Sequence, residues 1–364
     1  RGEKLNRYVS AGISTDHECF TYEEAKEKAE LGLKILIREG SAAKNYVALK
    51  MIIDEFPDQV MFCSDDKHPN DLVKGHINKL AARAISDGFN FWNVIRACTL
   101  NPVEHYGLNS GLLRLGDPMN LIVIDDLSKM SVEKVIFHSD LIWDGSKLGF
   151  SQPEVPVVNN YTSYELKPEQ FSFIKKSNEL TVIEARNGEL ITGSYKYIHK
   201  TINKTFESDI EEDILKIVVV NRYQKSEPSV AFIKNFGLKK GAIASTVAHD
   251  CHNIIAVGTS DENLSTVCNE LMKLKGGISV YNERDLKSMK LEIAGLMTRN
   301  SATETALNYQ LLEDEAKNLG STLDSPFMTL SFMALLVIPE LKLSDLGLFN
   351  GEDFNFVEVC KEVK

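Results

Sequence analysis

The sequence predicts an α/β protein in two parts: an N-terminal set of parallel β/α units of the kind found in (β/α)8 barrels, and a separate α/β or α+β domain behind it. Three observations predict this. First, Gly12-Ile13-Ser14-Thr15-Asp16-His17-Glu18 and Val60-Met61-Phe62-Cys63-Ser64-Asp65-Asp66 each read as a buried strand ending in a metal-competent side chain, and each is followed by a helix. Barrel enzymes place their chemistry at such strand ends, where a His and an Asp can converge on one ion. Second, strand and helix text alternate at the spacing of parallel units through residue 103. Third, a stretch rich in Pro, Asn, Ser and Tyr over residues 151–166 separates these units from a second region rich in strands.

Taken in order, residues 8–14 read as a strand. Thr21, as a cap before an acidic first turn and good helix formers, predicts a helix over 21–30. Residues 33–37 form a short apolar strand, 38–45 a loop, and 46–56 an amphipathic helix that ends before Pro57. The unit then repeats, with a strand over 59–63 and a helix over 70–87. Another helix over 91–100 runs up to an Asn101-Pro102 stop. After it, Leu121-Ile122-Val123-Ile124 and residues 132–143 switch to β text, closed by the Asp144-Gly145 turn. The domain plan is therefore 1–103 for the β/α units, 104–150 for a small β segment, 151–166 for a linker and 167–364 for the C-terminal domain. In that domain residues 180–192, 214–221, 229–234, 243–247 and 254–259 read as strands and 262–274 and 304–319 as helices, with a turn at Gly276-Gly277.

Size and charge narrow the function classes. With 364 residues the chain can build cores that need neither disulfides nor structural metals. The balance of 52 acidic against 41 basic residues, net −11, repels phosphate backbones and argues against a nucleic-acid partner. No apolar run approaches the roughly 20 residues of a membrane span, so no membrane partner is expected. The six cysteines are scattered without a Cys-x-x-Cys pair, and no secretory leader is visible, which predicts reduced thiols and a cytoplasmic setting. Arg1-Gly2-Glu3-Lys4 lacks an initiator Met and leads at once into element-like text, which predicts that the chain starts inside a domain.

Several runs carry a closer identification: Ile37-Arg38-Glu39-Gly40-Ser41-Ala42-Ala43-Lys44-Asn45, Cys63-Ser64-Asp65-Asp66, Lys74-Gly75-His76-Ile77, Thr99-Leu100-Asn101-Pro102 and Thr246-Val247-Ala248-His249-Asp250-Cys251-His252-Asn253-Ile254, with Ile293-Ala294-Gly295-Leu296-Met297 and the tail Val337-Ile338-Pro339-Glu340-Leu341-Lys342-Leu343. Together they resemble bacterial-type adenine deaminases, a metal-dependent branch of the amidohydrolase superfamily, nearly end to end. The resemblance implies the C-terminal part of a (β/α)8 amidohydrolase barrel with a small β-domain, followed by a C-terminal domain particular to the family. Residues 1–103 are then barrel strands six to eight with their helices. The earlier strands, which carry a His-x-His pair, a bridging carboxylate and another His in such enzymes, would belong to an N-terminal barrel segment that acts as a partner. The implied reaction is hydrolysis of adenine to hypoxanthine and ammonia in purine salvage or catabolism. It implies a divalent metal cofactor, a binuclear manganese centre first, with iron or zinc as alternatives, in a homo-oligomer. Two other readings stand beside it: ring opening of a cyclic amide on the same scaffold, and a non-catalytic fragment completed by its missing half.

Position by position, the resemblance makes His17 the sixth-strand metal ligand and Asp65 the eighth-strand carboxylate that touches metal and shuttles protons. These residue types suit the chemistry, since neutral imidazole binds divalent transition metals and a carboxylate can relay protons. The plain alternatives are a strand-end His bonded to a backbone carbonyl and an Asp that caps a turn. Asp66 fits the capping role, because successive residues of an extended chain face opposite ways. Glu18, Arg38, Glu39, Ser41 and His76 are candidates for contacting substrate or supporting the metal ligands. For Arg38, Glu39 and Ser41 the alternative is a cap on the next helix, with Gly40 supplying an unusual backbone shape, and for His76 it is an ordinary helix surface. His249, Asp250 and His252 read equally as imidazoles near the barrel mouth or as a polar turn, with Cys251 packed rather than reactive. A cytidine-deaminase site is excluded, since His-x-Glu with Pro-Cys-x-x-Cys does not occur, and no phosphate-binding Gly-x-x-x-x-Gly-Lys-Ser/Thr loop is present.

Overall fold

The computed structural model describes residues 1–151, 153–199 and 204–360. Gln152 of the expected linker, and residues 200–203 and 361–364 of the expected C-terminal domain, lie outside the described residues. The contacts divide the chain into two compact units, Arg1–Glu154 and Val155–Lys364.

Unit 1 opens on a helix, α1 (Glu3–Ser10), where a strand over 8–14 was expected. Leu5 is its one buried residue, so α1 gains one anchor and otherwise faces solvent. The strand that follows, β1 (Thr15–Asp16), is only two residues long, and Gly12 to Ser14 are exposed rather than buried. The text around it is apolar only at Ile13, too little to hold a longer buried strand. Next come α2 (Tyr22–Glu30), β2 (Lys34–Arg38), two short helices α3 (Tyr46–Leu49) and α4 (Ile52–Glu55), and β3 (Val60–Cys63). Thr21 caps α2 as expected, its hydroxyl accepting from the Glu24 amide at 3.2 Å.

The expected helix over 70–87 is split into α5 (Pro69–Leu72) and α6 (Ile77–Ser86), because Gly75 takes φ 153°, outside the helical range. Then follow α7 (Phe91–Cys98) and α8 (Leu100–Tyr106). Pro102 does not stop the chain there. It sits in the first turn of α8, where its missing N–H costs nothing.

Strands β1, β2 and β3 pair in parallel in that order, with Asp16 opposite Ile35 and Arg38 opposite Cys63. Their carboxyl ends therefore lie side by side. These strands form an open three-stranded sheet; among the described residues no closed barrel is formed. The core beneath combines Ile35, Ile37, Val60 and Phe62 with Ala25, Tyr46, Ile53, Leu80 and Val94 from the helices, so the sheet is buried on its faces as parallel sheets are. Unit 1 ends in an antiparallel meander, β4 (Leu121–Ile124), β5 (Val132–Phe137) and β6 (Asp140–Trp143).

Unit 2 is built on an eight-stranded sheet. Over residues 173–290 the unit has β7 (Phe173–Ile174), β8 (Glu179–Glu184), β9 (Gly193–Ile198), β10 (Thr205–Phe206), β11 (Ile214–Val220), β12 (Ser229–Lys234), β13 (Ala242–Ser245), β14 (Ile254–Gly258), β15 (Gly277–Tyr281) and β16 (Leu286–Lys290), with helix α9 (Asp261–Leu274) between β14 and β15. The sheet order is β16-β15-β13-β14-β11-β12-β8-β9, antiparallel except for β12 beside β8, while β7 and β10 pair separately. The remaining elements are α10 (Ala302–Asn318), α11 (Pro326–Phe332) and a small sheet of β17 (Leu341–Ser344), β18 (Gly347–Asn350) and β19 (Asn355–Phe356).

Every residue of β11 is buried, which the run Ile217-Val218-Val219-Val220 anticipates, and Lys216 is buried with them, its ammonium donating to the Phe171 carbonyl at 3.2 Å and to Asp261. Val218, Val220, Ala242, Ala244 and Ala256 meet Leu264, Val267 and Leu271 of α9. Gly258 admits that helix: a Cβ there would lie 2.8 Å from Ala242 Cβ and 3.0 Å from Leu264. The expected linker is not loose along its second half. Tyr161, Tyr164 and Leu166 pack on the α9 core, and the Thr162 amide donates to the Arg222 carbonyl at 2.8 Å.

Candidate metal centre

The turn after β1 is set by Asp16. One carboxylate oxygen accepts from the Glu18 amide at 2.7 Å, and the other takes the ammonium of the buried Lys28 at 2.7 Å, which Glu24 also holds at 2.6 Å. A second tie comes from Asn45, buried in the loop after β2. Its side-chain amide donates to the Cys19 carbonyl at 3.2 Å, and its oxygen accepts from the Arg38 amide at 2.7 Å. These local bonds turn the chain sharply and leave His17 and Glu18 side by side, with His17 Nε2 3.3 Å from Glu18 Oε1.

After β3 the chain turns again at Asp65, whose φ of 47° places it in the left-handed region that Asp tolerates better than most residues. Gly40, in the loop after β2, allows this turn to approach. A Cβ there would lie 2.8 Å from the Asp66 carbonyl and 2.9 Å from the Ser64 carbonyl. Its role is thus close approach and not an unusual backbone angle, a correction to the expectation.

Arg38 joins the two turns. Only 1% exposed, it donates from Nη1 to Glu18 at 2.9 Å and to Asp65 at 2.7 Å, from Nη2 to the second Glu18 oxygen at 3.1 Å, and from Nε to the Ala43 carbonyl at 2.9 Å. The result is a group of three side chains, His17, Glu18 and Asp65, each offering one ligand atom, with all three atoms within 4.8 Å of one another. Among the described residues it is the one group of three or more His, Cys, Asp or Glu side chains with that geometry.

The charges agree with the geometry. Glu18 is pushed up by partial burial, but hydrogen bonds from His17 and Arg38 outweigh this and hold it at about 2. The hydrogen bond to Glu18 raises His17 above the ordinary imidazole value. Two carboxylates against one guanidinium leave the cluster one negative charge in excess when the imidazole is neutral. One nitrogen and two oxygens then suit a divalent first-row metal, and both carboxylates keep lone pairs that Arg38 does not use. His17 and Glu18 remain half open to solvent, so an ion can reach them.

The other expected residues fall elsewhere. Glu39 accepts from Arg83 at 3.2 Å and from the Tyr46 amide at 3.3 Å, and Ser41 donates to Asp71 at 2.7 Å while accepting from the His68 amide at 2.9 Å. Both brace loops rather than join the cluster. The Asp66 carbonyl accepts from the Ser41 amide at 2.9 Å, and the cap position of α5 belongs to His68. His76 is the N-cap residue of α6 and not a helix-surface residue, with Nε2 2.9 Å from Ser64 Oγ.

His249, Asp250 and His252 lie in unit 2, in the turn between β13 and β14, and among the described residues they belong to no group of three or more side chains with metal-binding geometry. The His249 ring stacks on Phe332 at 4.7 Å, and the His252 carbonyl accepts from Arg222 Nε. Burial, with His249 and Arg222 nearby, pushes the His252 imidazole below its ordinary value.

Glu18, expected only to support the metal ligands, lies in the same group of ligand-capable side chains as His17 and Asp65. The signal was its place beside His17 in a turn that begins with an Asp. Asn45 and Lys28 were missed altogether, because a loop Asn and a helical Lys carry no distinctive pattern.

Comparisons with known proteins bear on both units. Residues 3–145 match the amidohydrolase family and residues 189–355 the adenine deaminase C-terminal domain. An adenine deaminase of Methanosarcina mazei is 47% identical over 99% of this chain and 67% of its own length, and one of Methanosarcina acetivorans is 48% identical over 100% and 68%. One of Sulfurovum sp. is 46% identical over 99% of this chain and 66% of its own. The chain thus spans about two thirds of the length of these relatives. With its two halves matching the two modules, this chain belongs to the adenine deaminase family of amidohydrolases.

Proposed function

We propose that this chain deaminates adenine hydrolytically: water adds at the carbon bearing the amino group, the carbon–nitrogen bond breaks, and hypoxanthine and ammonia are released. One observation carries the assignment of roles: His17, Glu18 and Asp65 converge at the ends of β1 and β3, clamped from behind by Arg38, in a chain of the adenine deaminase family. His17, Glu18 and Asp65 would hold a divalent metal as part of a binuclear manganese centre, with iron or zinc as the alternatives; a donor set of one nitrogen and two oxygens supports this. When bound, such an ion makes hydroxide available near neutral pH.

The remaining work belongs to this chain. Asp65 accepts the proton that water loses on attack and passes it to a ring nitrogen; it then takes the proton of the added hydroxyl, as the carbonyl forms, and delivers it to the departing amine. Arg38 keeps that carboxylate oriented, donating to it from Nη1 at 2.7 Å. The β1–β3 strands are the last parallel units of a barrel, and the reaction takes place in cytoplasmic purine metabolism. Ring opening of a cyclic amide is not favoured by the adenine deaminase relatives.

The test measures ammonia release from adenine and bound manganese, iron and zinc by elemental analysis. It is run on the chain alone and on the chain mixed with the remaining third of a relative. Ammonia release that disappears in Asp65→Asn at unchanged folding supports the roles given. Turnover of cyclic amides but not adenine, or no metal in either form, would overturn the reading.

A further inference from the structure

Behind the strand ends lies a second polar feature that the deamination chemistry does not use. A cleft of about 190 Å³ opens between the β3 end and α6, with Ile77 and Leu80 as its apolar wall. Its polar lining is Glu39, Ser64, Lys67, His76, Lys79 and Arg83. Neighbouring residues of the chain divide between the two sites: Arg38 and Asp65 turn to the metal ligands, while Glu39 and Ser64 turn into the cleft.

The cleft's charge runs against that of the protein. The whole chain carries net −11, yet this lining has three cations and one carboxylate. That carboxylate is already engaged, since Glu39 takes Arg83 at 3.2 Å, and the Arg83 guanidinium also lies over the Tyr46 ring at 4.3 Å. Lys67 and Lys79 pair with no carboxylate among the described residues. Lys79 is seated by a backbone device: a Cβ on Gly75 would lie 2.2 Å from its Cγ, so its stem passes over a position that only glycine leaves open. Beside the lysines stand the two hydrogen-bonding groups already joined, the Ser64 hydroxyl and the His76 imidazole, 2.9 Å apart. Burial, and Lys67 nearby, push that imidazole below its ordinary value, so it offers a ring N–H without a further charge. The volume falls below the roughly 300–1,000 Å³ of sites for drug-sized ligands, which suits a small, strongly charged group.

We propose that this cleft is a binding site for a tetrahedral oxyanion of the phosphate class, either free phosphate or the phosphoryl end of a nucleoside monophosphate, with Lys67 and Lys79 supplying charge and Ser64 and His76 hydrogen bonds. Ammonium groups bind phosphate as point charges, and a hydroxyl and a ring N–H fix its orientation. An anion here holds Ser64, the residue before Asp65, and so couples the cleft to the loop of the metal ligands.

The test titrates the purified chain with inorganic phosphate by calorimetry at constant ionic strength, with chloride as the control. The expected result is saturable binding of one phosphate per chain. The double variant Lys67→Ala/Lys79→Ala weakens it at least tenfold, while Lys34→Ala, at the opposite end of β2, leaves it unchanged. A parallel titration with AMP separates the two sources: tighter binding than phosphate, lost in the same double variant, identifies a nucleotide site, and weaker binding identifies free phosphate. Phosphate binding that does not saturate, or that the double variant retains in full, overturns the proposal.

Discussion

Two arginines of this protein are buried to nearly the same degree, Arg38 at 1% exposure in unit 1 and Arg222 at 3% in unit 2, and they answer to different partners. Arg38 spends its donors mainly on carboxylates, Glu18 and Asp65. Arg222 spends its donors on backbone and neutral groups: the His252 and Ala294 carbonyls, the Tyr223 hydroxyl and the Asn159 side chain, with its plane over the Tyr161 and Tyr223 rings. A guanidinium held by carbonyls completes a scaffold, since it satisfies acceptors that are otherwise orphaned. A guanidinium held by two carboxylates concentrates charge at one point, and in unit 1 that point lies beside an accessible imidazole. Burial alone therefore does not distinguish the two arginines; the nature of their acceptors does.

The sharpest way to break this contrast is to replace the Asp65 carboxylate, one of the two that Arg38 holds, by an amide of the same shape. Asp65→Asn is expected to lower adenine deamination by about 10²–10⁴-fold, the range for loss of a general acid–base group, with little change in melting temperature. Near-normal turnover in that variant would move proton transfer to another residue.

Next in size is Arg38→Met, which strips two carboxylates of their shared cation. It is expected to cost about 3 kcal/mol in chemical denaturation, the lower end for a broken buried pair because Glu18 and Asp65 retain access to water, and to depress deamination as well. Arg222→Met should cost about 1–3 kcal/mol through its unsatisfied carbonyls while leaving bound metal unchanged. If both variants lose metal equally, the distinction between scaffold and site collapses.

The smallest expected effect concerns pH. Metal binding needs the neutral imidazole of His17, whose pKa the hydrogen bond to Glu18 raises above the ordinary 6.5 or so. Protons thus compete with metal, and affinity is fully present above the raised value and falls as pH drops through it, by up to about tenfold per unit for one proton. Manganese titrations at pH 8 and pH 6 read this directly, and an affinity indifferent to pH would remove His17 from the ligand set.

Legibility in the sequence varied with how local the determining forces are. The Thr21 cap, the all-buried β11 and the strand Ser229–Lys234 were readable because a cap or an unbroken apolar run acts within a few residues. The break between α5 and α6 was not read, since Gly75 inside a helical pattern is usually tolerated and here is tied to the stem of Lys79 above it. The strand expected over 8–14 became a helix with a single buried anchor, which periodicity over so few residues does not resolve. At the candidate site the strand-end positions of His17 and Asp65 were legible, whereas the convergence of Glu18 with them and the bracing by Asn45 were not. The His249 to His252 turn looked in sequence as metal-like as the turn that carries His17, and only its partners separate the two.

By itself the sequence determined which residue types stand at the strand ends of unit 1, and its motifs determined the family, because strand-end chemistry and family motifs are both written in contiguous residues. The tertiary structure decided which of those groups meet. Arg38 lies 20 residues from Glu18 and 27 from Asp65, and parallel pairing of β1, β2 and β3 is what brings the three ends into register. Convergence across such separations depends on strand register and on buried charge seeking its counter-charge, neither of which is a property of any one stretch of chain.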